Sequence, residues 1–378
     1  MAKLISADLT NNKLCILEYT TTDGQMLSFE KDAFDAKIVS HTYTDKGKII
    51  FDKPITKIGE CAFSWCKSLT SVTIPDSVTT IGIRAFEGCC SLKSVTIPDC
   101  VTTIGEAAFA YCSSITSVTI GDSVTTIGDY TFRNCSSLTS VTIPDSVTTI
   151  GDRAFYGCSS LTSITIPDSV TTIGYYTFED CTGELVVNCN IPSASFGWPG
   201  SFQGSNFTSV TIGDSVTSIG DYAFRNCSSL TSVTIPDSVT TIGRDAFDGC
   251  SSLTSVYITD LSAWCKIDFG SSSANPLYYA ENIYLNNESV TELVIPSDIT
   301  EIKSYAFSEC KSLKNITIGK GVSVIGKESF KGCNIDTIVC YPKIPPKIDD
   351  SFRKFENLIV PTGCEEAYAN SDWGQYLE

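Results

Sequence analysis

Ten cysteines in this chain stand three residues after a phenylalanine, at 66, 89, 112, 135, 158, 181, 227, 250, 310 and 333. If the copies stack at strand spacing, successive thiols come within about 5 Å, close to disulfide range. Redox chemistry or soft-metal binding would be the use of such a ladder. Both need partners that the chain withholds. There is no C-x-x-C pair, and His41 is the single histidine among 378 residues. That excludes HExxH and Cys2His2 zinc sites. A Ser-His-Asp triad would have to be built on His41, which has no G-x-S-x-G elbow to serve. Each ladder cysteine falls in an apolar row, where a free thiol behaves as a small buried hydrophobe. Reduced, buried thiols are therefore the expectation. The other eight cysteines show no zinc spacing, and Cys61 and Cys90 are expected to be the more exposed.

A second column is acidic: Asp76, Asp99, Asp122, Asp145, Asp168, Asp214 and Asp237. Calcium wants six or more oxygens. One carboxylate per copy falls short, so a turn role, accepting local N–H groups, is expected. A third column is hydroxylic, from Ser71 and Thr73 to Ser232 and Thr234. A flat threonine lattice can order water, but small hydroxyls also suit any exposed sheet face. The five N-x-S/T triplets, at Asn134, Asn206, Asn226, Asn287 and Asn315, follow from the same Ser/Thr-rich composition.

What differs between copies is more informative. Arg84, Tyr111, Tyr130, Arg133, Arg153, Tyr156, Tyr175, Tyr176, Tyr222, Arg225 and Arg244 flank the repeated phenylalanine. Tyr and Arg are the types enriched where binding energy concentrates. Two interior breaks add aromatics in Gly/Ser/Pro-rich surroundings. The first, 182–206, holds Trp198 with Phe196 and Phe202. The second, 259–289, holds Trp264, Tyr278 and Tyr279 with Phe269 and Tyr284. Insertions in repeat arrays often map to a binding face. Trp198, Trp264, Tyr278 and Tyr279 join the candidate ligand-binding residues on that ground, while packing of the 264–284 rings over a widened core is the favoured alternative.

The elements that must position these residues follow from the period. The phrase "SVTIPDSVTTIG" occurs at 71–82, 140–151 and 232–243, with near copies between, and the phenylalanines step by 23 from 63 to 178. Val72 and Ile74 alternate with Ser71 and Thr73, as in a strand with one buried face. Pro75 ends that strand because it cannot donate to the ladder. "VTTIG" is a second extended piece. "RAFEGC" is expected to make about one helical turn, with Phe86 and Cys89 on its inner side. One copy cannot bury its Leu-Val-Ile-Ile-Phe-Cys row alone, whereas stacked copies can. Counting from the strand ending at Phe51 to the one ending at Val360 gives 14 coils. Residues 1–48 are read as an N-terminal cap of β type, 49–360 as the array, and 361–378 as a C-terminal helical cap with Tyr368, Trp373 and Tyr376.

The unit "LTSVTIPDSVTTIGDRAFYGCSS" resembles the BspA-like leucine-rich repeat family of microbial surface proteins. The resemblance covers 49 to about 360, and the end segments "LEYTTTDGQ" and "VPTGCEEAYANSDWGQY" share it. It implies an α/β leucine-rich-repeat fold: a right-handed solenoid with a parallel β-sheet on the concave face and short helical turns opposite. It also implies adhesion or recognition at a cell surface, and no catalytic motif to carry over.

Bulk properties narrow the partners. An apolar fraction of 42% is too high for a disordered chain. A net charge of −17 repels phosphate backbones, so nucleic acid is not expected. No apolar run is long enough to span a membrane, and the first residues, "MAKLISADLTNNKLC", lack the apolar core of a signal peptide. The expectation is a monomeric, non-enzymatic, cofactor-free scaffold, cell-surface or secreted, that binds a protein or glycan of a host or neighbouring cell. The alternative is a purely structural array.

Overall fold

A computed structural model describes residues 14–193 and 199–377. The chain divides into two compact units, Met1–Thr182 and Gly183–Glu378. Both are stacks of β-coils, about 13 turns in all. In the first unit, identical letters pair in register across parallel strands. Ser94, Val95 and Thr96 lie beside Ser117, Val118 and Thr119, and these beside Ser140, Val141 and Thr142. A second parallel ladder joins the Thr-Ile pairs from Lys57–Ile58 to Thr172–Ile173. The alternation seen in the letters is the alternation seen in burial: serine and threonine out, valine in.

The core is a set of columns. Phe63, Phe86, Phe109, Phe132, Phe155 and Phe178 are all fully buried. The rings from Phe63 to Phe178 stack face to face, with centroids 5.2–5.7 Å apart. Offset stacking of this kind adds about 0.5–1.5 kcal/mol per pair to simple burial. Gly105 shows why the glycine column is needed. A Cβ there would sit 2.7 Å from the Gly82 carbonyl carbon and 2.6 Å from the Ile83 nitrogen, inside the backbone of the preceding coil.

The segments expected to be helical turns are not helices. Arg84 and Gly88, flanking Phe86, both have positive φ, at 53° and 68°, which an α-helix excludes. Their N–H groups bond to the next coil instead. Arg84 N–H donates to the Glu106 carbonyl at 2.9 Å, Phe86 to Ala108 at 2.8 Å and Gly88 to Ala110 at 2.8 Å. The intervening residues close i−3 turns: Glu87 donates to Arg84 at 3.1 Å and Cys89 to Phe86 at 3.2 Å. Consecutive tight turns, alternately tied to themselves and to the next coil, replace the expected helical turn.

The strand ending at Phe51 is not a coil. Three strands, β1 (Cys15–Thr21), β2 (Ile38–Tyr43) and β3 (Gly47–Phe51), form an antiparallel cap sheet in the order β2-β3-β1. β1 then pairs antiparallel with the Leu69–Thr73 strand, the first of the stack. The cap thus covers an edge that would otherwise expose unpaired N–H and C=O groups, and one of the 14 counted strands belongs to it. In the second unit, Glu365–Ala369 forms a short helix. Tyr368 and Trp373 are buried behind it and donate to the Pro342 and Pro346 carbonyls at 2.8 and 2.9 Å.

Candidate functional site

The ladder thiols and the Ser/Thr hydroxyls that follow each strand join coils. Ladder thiols donate to the phenylalanine carbonyl of the preceding coil: Cys89 to Phe63, Cys112 to Phe86, Cys135 to Phe109, Cys158 to Phe132 and Cys181 to Phe155, at 3.1–3.3 Å. The second unit repeats this at Cys227, Cys250 and Cys333. Burial pushes the Cys66 thiol up to about 11 and those of Cys89, Cys112, Cys135 and Cys158 higher still. A thiolate, the reactive form, is thus disfavoured at these five positions. Hydroxyls do the same work at the surface. Ser146 donates to Val124 at 2.7 Å, Ser169 to Val147 at 2.9 Å and Thr148 to Thr125 at 3.3 Å. Cys100 stands where other copies have this serine, and makes the same bond to Val78 at 3.2 Å. Among the described residues no three His, Cys, Asp or Glu side chains gather as a metal ion would need. His41 contacts the Tyr19 hydroxyl at 2.6 Å within the cap, and burial lowers its pKa.

The variable residues do not share that fate. In the first unit they form one continuous strip along the turns. Arg133 lies 5.6 Å from the Tyr111 ring centre, 5.6 Å from Tyr130 and 5.4 Å from Tyr156. Arg153 lies 5.9 Å from Tyr130 and 5.2 Å from Tyr176, and donates to the Tyr130 hydroxyl at 3.2 Å. Tyr130, Arg133, Arg153, Tyr156, Tyr176 and Glu179 line a concavity of about 370 Å³. Glu179 carries a raised pKa from burial and from Asp180, opposed by Arg153. Tyr175 sits beside this group, its N–H held by the Asp152 carboxylate at 2.7 Å.

Sequence reading missed Glu179 and Trp65. Trp65 occupies the same place after Phe63 that Tyr111 occupies after Phe109. It is 56% exposed and stacks on Tyr111 at 6.4 Å, across Gly88. Lys67 lies 5.7 Å from its ring, so cation and aromatic alternate along the strip. The positional equivalence was the available signal.

Other candidates separate from this group. Arg84 pairs with Glu87. In the second unit Arg225 lies over Tyr222 at 5.5 Å but is paired with Asp248 at 3.2 Å, and Arg244 is paired with Asp245 at 3.4 Å. The expectation for Trp264 is corrected. It is 1% exposed, and its indole N–H donates to the Ala306 carbonyl at 2.8 Å. The stretch it belongs to is not a surface loop. Asp268–Phe269 and Ile283–Leu285 extend the two parallel ladders, so residues 259–289 build most of a coil around that ring. Tyr279 is engaged with Gly249 N–H and Asp248, while Tyr278 stays 42% exposed. Phe202 also belongs to the core, stacked on Phe224 at 5.1 Å. Phe196 and Trp198 lie outside the described residues.

A repeat scaffold with a variable strip on its turns is the class these features define. The description that matches is the BspA-type leucine-rich repeat region, in six copies, over residues 37–137, 199–272 and 279–370. The chain belongs to that family. No curated protein matches. Similar solved structures include a leucine-rich repeat protein from Bacteroides ovatus, 23% identical, with 84% of this chain and 89% of that one covered and a TM-score of 0.42. A leucine-rich cell surface protein from Faecalibacterium prausnitzii is 26% identical, with 93% and 96% covered and a TM-score of 0.32. A pneumococcal vaccine antigen is 16% identical, with 90% and 88% covered and a TM-score of 0.33. Among the described residues no helix is long and apolar enough to cross a membrane.

Proposed function

We propose that this protein is a non-enzymatic binding scaffold, acting at a cell surface or after secretion, whose recognition surface is the Tyr/Arg strip on the turns of the first unit. The observation that carries this reading is the gathering of tyrosines around Arg133 and Arg153 at turn positions whose backbone bonds leave the residue type free. Tyr130, Arg153 and Tyr176 have φ of 57°, 51° and 52°. For bulky residues this conformation costs on the order of 1–2 kcal/mol each, where glycine would cost little. The backbone bonds at these positions need no particular side chain: Tyr130 N–H and Arg153 N–H reach the next coil at 2.9 and 3.0 Å as Arg84 does. The same place in other coils holds Cys61, Arg84, Ala107 and Asp245 at φ of 52–53°, so the coil geometry sets this conformation and the choice of Tyr or Arg is free to serve recognition.

The test uses a panel of matrix proteins and glycans with the full chain. Tyr130→Ala, Tyr156→Ala and Tyr176→Ala are combined, and melting is followed alongside binding. Ligand capture lost at unchanged melting temperature supports the strip. Capture undiminished in the triple variant rules the strip out. No saturable ligand in a broad panel leaves the purely structural array as the better reading.

A further inference from the structure

Two arginines in the strip lack the partner that arginine usually has. Arg84, Arg225 and Arg244 each have a carboxylate within 4.0 Å, and the chain carries 43 acidic residues against 26 basic ones. Arg133 and Arg153 form no ion pair among the described residues. Arg133 goes further: its Nε is buried and has no hydrogen-bond partner in the structure. Its guanidinium is instead held by the rings of Tyr111, Tyr130 and Tyr156. An unpaired buried N–H costs about 1–3 kcal/mol unless something supplies an acceptor. A guanidinium fixed by rings has already lost its rotamer freedom, so an incoming acceptor meets a preorganised fork.

We propose that the concavity between Arg133 and Arg153 binds the single carboxylate of an acidic sugar, with the tyrosine rings as its apolar wall. This rests on the reading of the strip as the recognition surface. The fork geometry of arginine fits a carboxylate in a bidentate manner. The volume, about 370 Å³, lies in the range of about 300–1,000 Å³ that small ligands occupy. The net charge of −17 selects against polyanions, since every further negative charge on the ligand meets a repelling field. A lone carboxylate on a neutral polyhydroxyl body meets that repulsion once only, against two arginines that offset it locally. Glu179 on the rim is an acceptor suited to sugar hydroxyls and hostile to a second ligand carboxylate.

The experiment titrates the full chain with N-acetylneuraminic acid and with D-glucuronic acid. Beside them run the methyl ester of each and a short peptide bearing one glutamate, all followed by saturation-transfer NMR. The expected result is saturable binding of at least one acid, with its neutral ester at least about tenfold weaker. Arg133→Gln and Arg153→Gln should each weaken the acid by about tenfold, as loss of a charge-assisted bond requires. Arg225→Gln, whose parent residue is already ion-paired, should leave it unchanged, and all three variants should melt as the parent does. Equal binding of acid and ester overturns the carboxylate assignment while leaving the strip as a sugar-binding surface. Preference for the peptide overturns the sugar. Binding of neither acid, with another ligand lost in the triple tyrosine variant, overturns the inference alone. Binding insensitive to the tyrosines overturns both.

Discussion

Raising the pH above 9 should unfold the first unit through its own core. Five of its thiols, those of Cys66, Cys89, Cys112, Cys135 and Cys158, titrate above the ordinary value of 9.0 because burial disfavours the thiolate. Their folded-state pKa lies above the unfolded value. The stabilising contribution is therefore fully present below 9 and is lost as the pH climbs toward 11, where even Cys66 begins to ionise. At pH 10 an unfolded thiol titrating at 9.0 has gained about 1.4 kcal/mol from ionisation that its folded counterpart has not. Five such thiols amount to about 7 kcal/mol, against a total of about 5–15 kcal/mol for an ordinary domain. Burial raises Cys265, Cys310, Cys333 and Cys340 of the second unit as well, whereas Cys227 is lowered by hydrogen bonds that outweigh its burial, so the first unit is the cleaner case. Urea unfolding followed by circular dichroism at pH 7 to 10.5, under reducing conditions, reads the slope directly. Cys112→Ser with Cys135→Ser should lower the steepness of the first unit's decline above pH 9 by about two-fifths. A stability flat from pH 8 to 10 would refute the picture of a column of protonated thiols.

Other expectations concern single bonds. Cys158→Ser keeps a donor for the Phe132 carbonyl, now met at 3.2 Å. It should cost less than Cys158→Ala, which removes that inter-coil bond while the carbonyl keeps the Cys135 N–H at 3.2 Å, a loss of about 0.5–1.5 kcal/mol, and thermal melts of the two decide the order. The chain already places Ser205, 1% exposed, at the equivalent position after Phe202. Gly105→Ala drives a methyl into the preceding coil's backbone and should cost at least about 1–3 kcal/mol, the usual range for overpacking. For an acidic sugar in the strip, affinity should rise as the pH falls from 7 toward 5. The carboxyl of Glu179, raised by burial and by Asp180 and opposed by Arg153, is neutralised sooner than an ordinary one. Glu179→Gln should flatten that dependence in a titration series.

Much of the stack was legible in the letters because period, burial and register are one fact in a parallel array. Val95 lies beside Val118 for the same reason that both are valine. The turns were not legible. A Phe and a Cys three apart suit one helical turn and two consecutive tight turns equally, and only the bonds from Phe86 to Ala108 and its neighbours distinguish them. Those bonds join residues 22 apart, beyond any local pattern. Phe202 was hidden by a slip in spacing: it follows Phe178 by 24 residues and precedes Phe224 by 22. Trp264 stood between two readings, because an aromatic amid Ser and Gly has the composition of a surface loop whether or not a coil closes over it, and its burial selects packing. The strip was visible as residue types, but not as contacts. Nothing in the spacing states that Arg133 would be enclosed by three rings while Arg225 would find Asp248.

The bonds between coils have a consequence for how such a chain can change. In the regular part they span fixed distances: Ser146 to Val124 is 22 residues, Thr148 to Thr125 is 23, and Cys158 to Phe132 is 26. Excising 23 residues from within a run of identical copies restores every one of these partners by type, as does duplicating them. A chain shortened or lengthened by one such unit should therefore keep the fold. The repetition that makes the scaffold monotonous also makes its length adjustable in whole units.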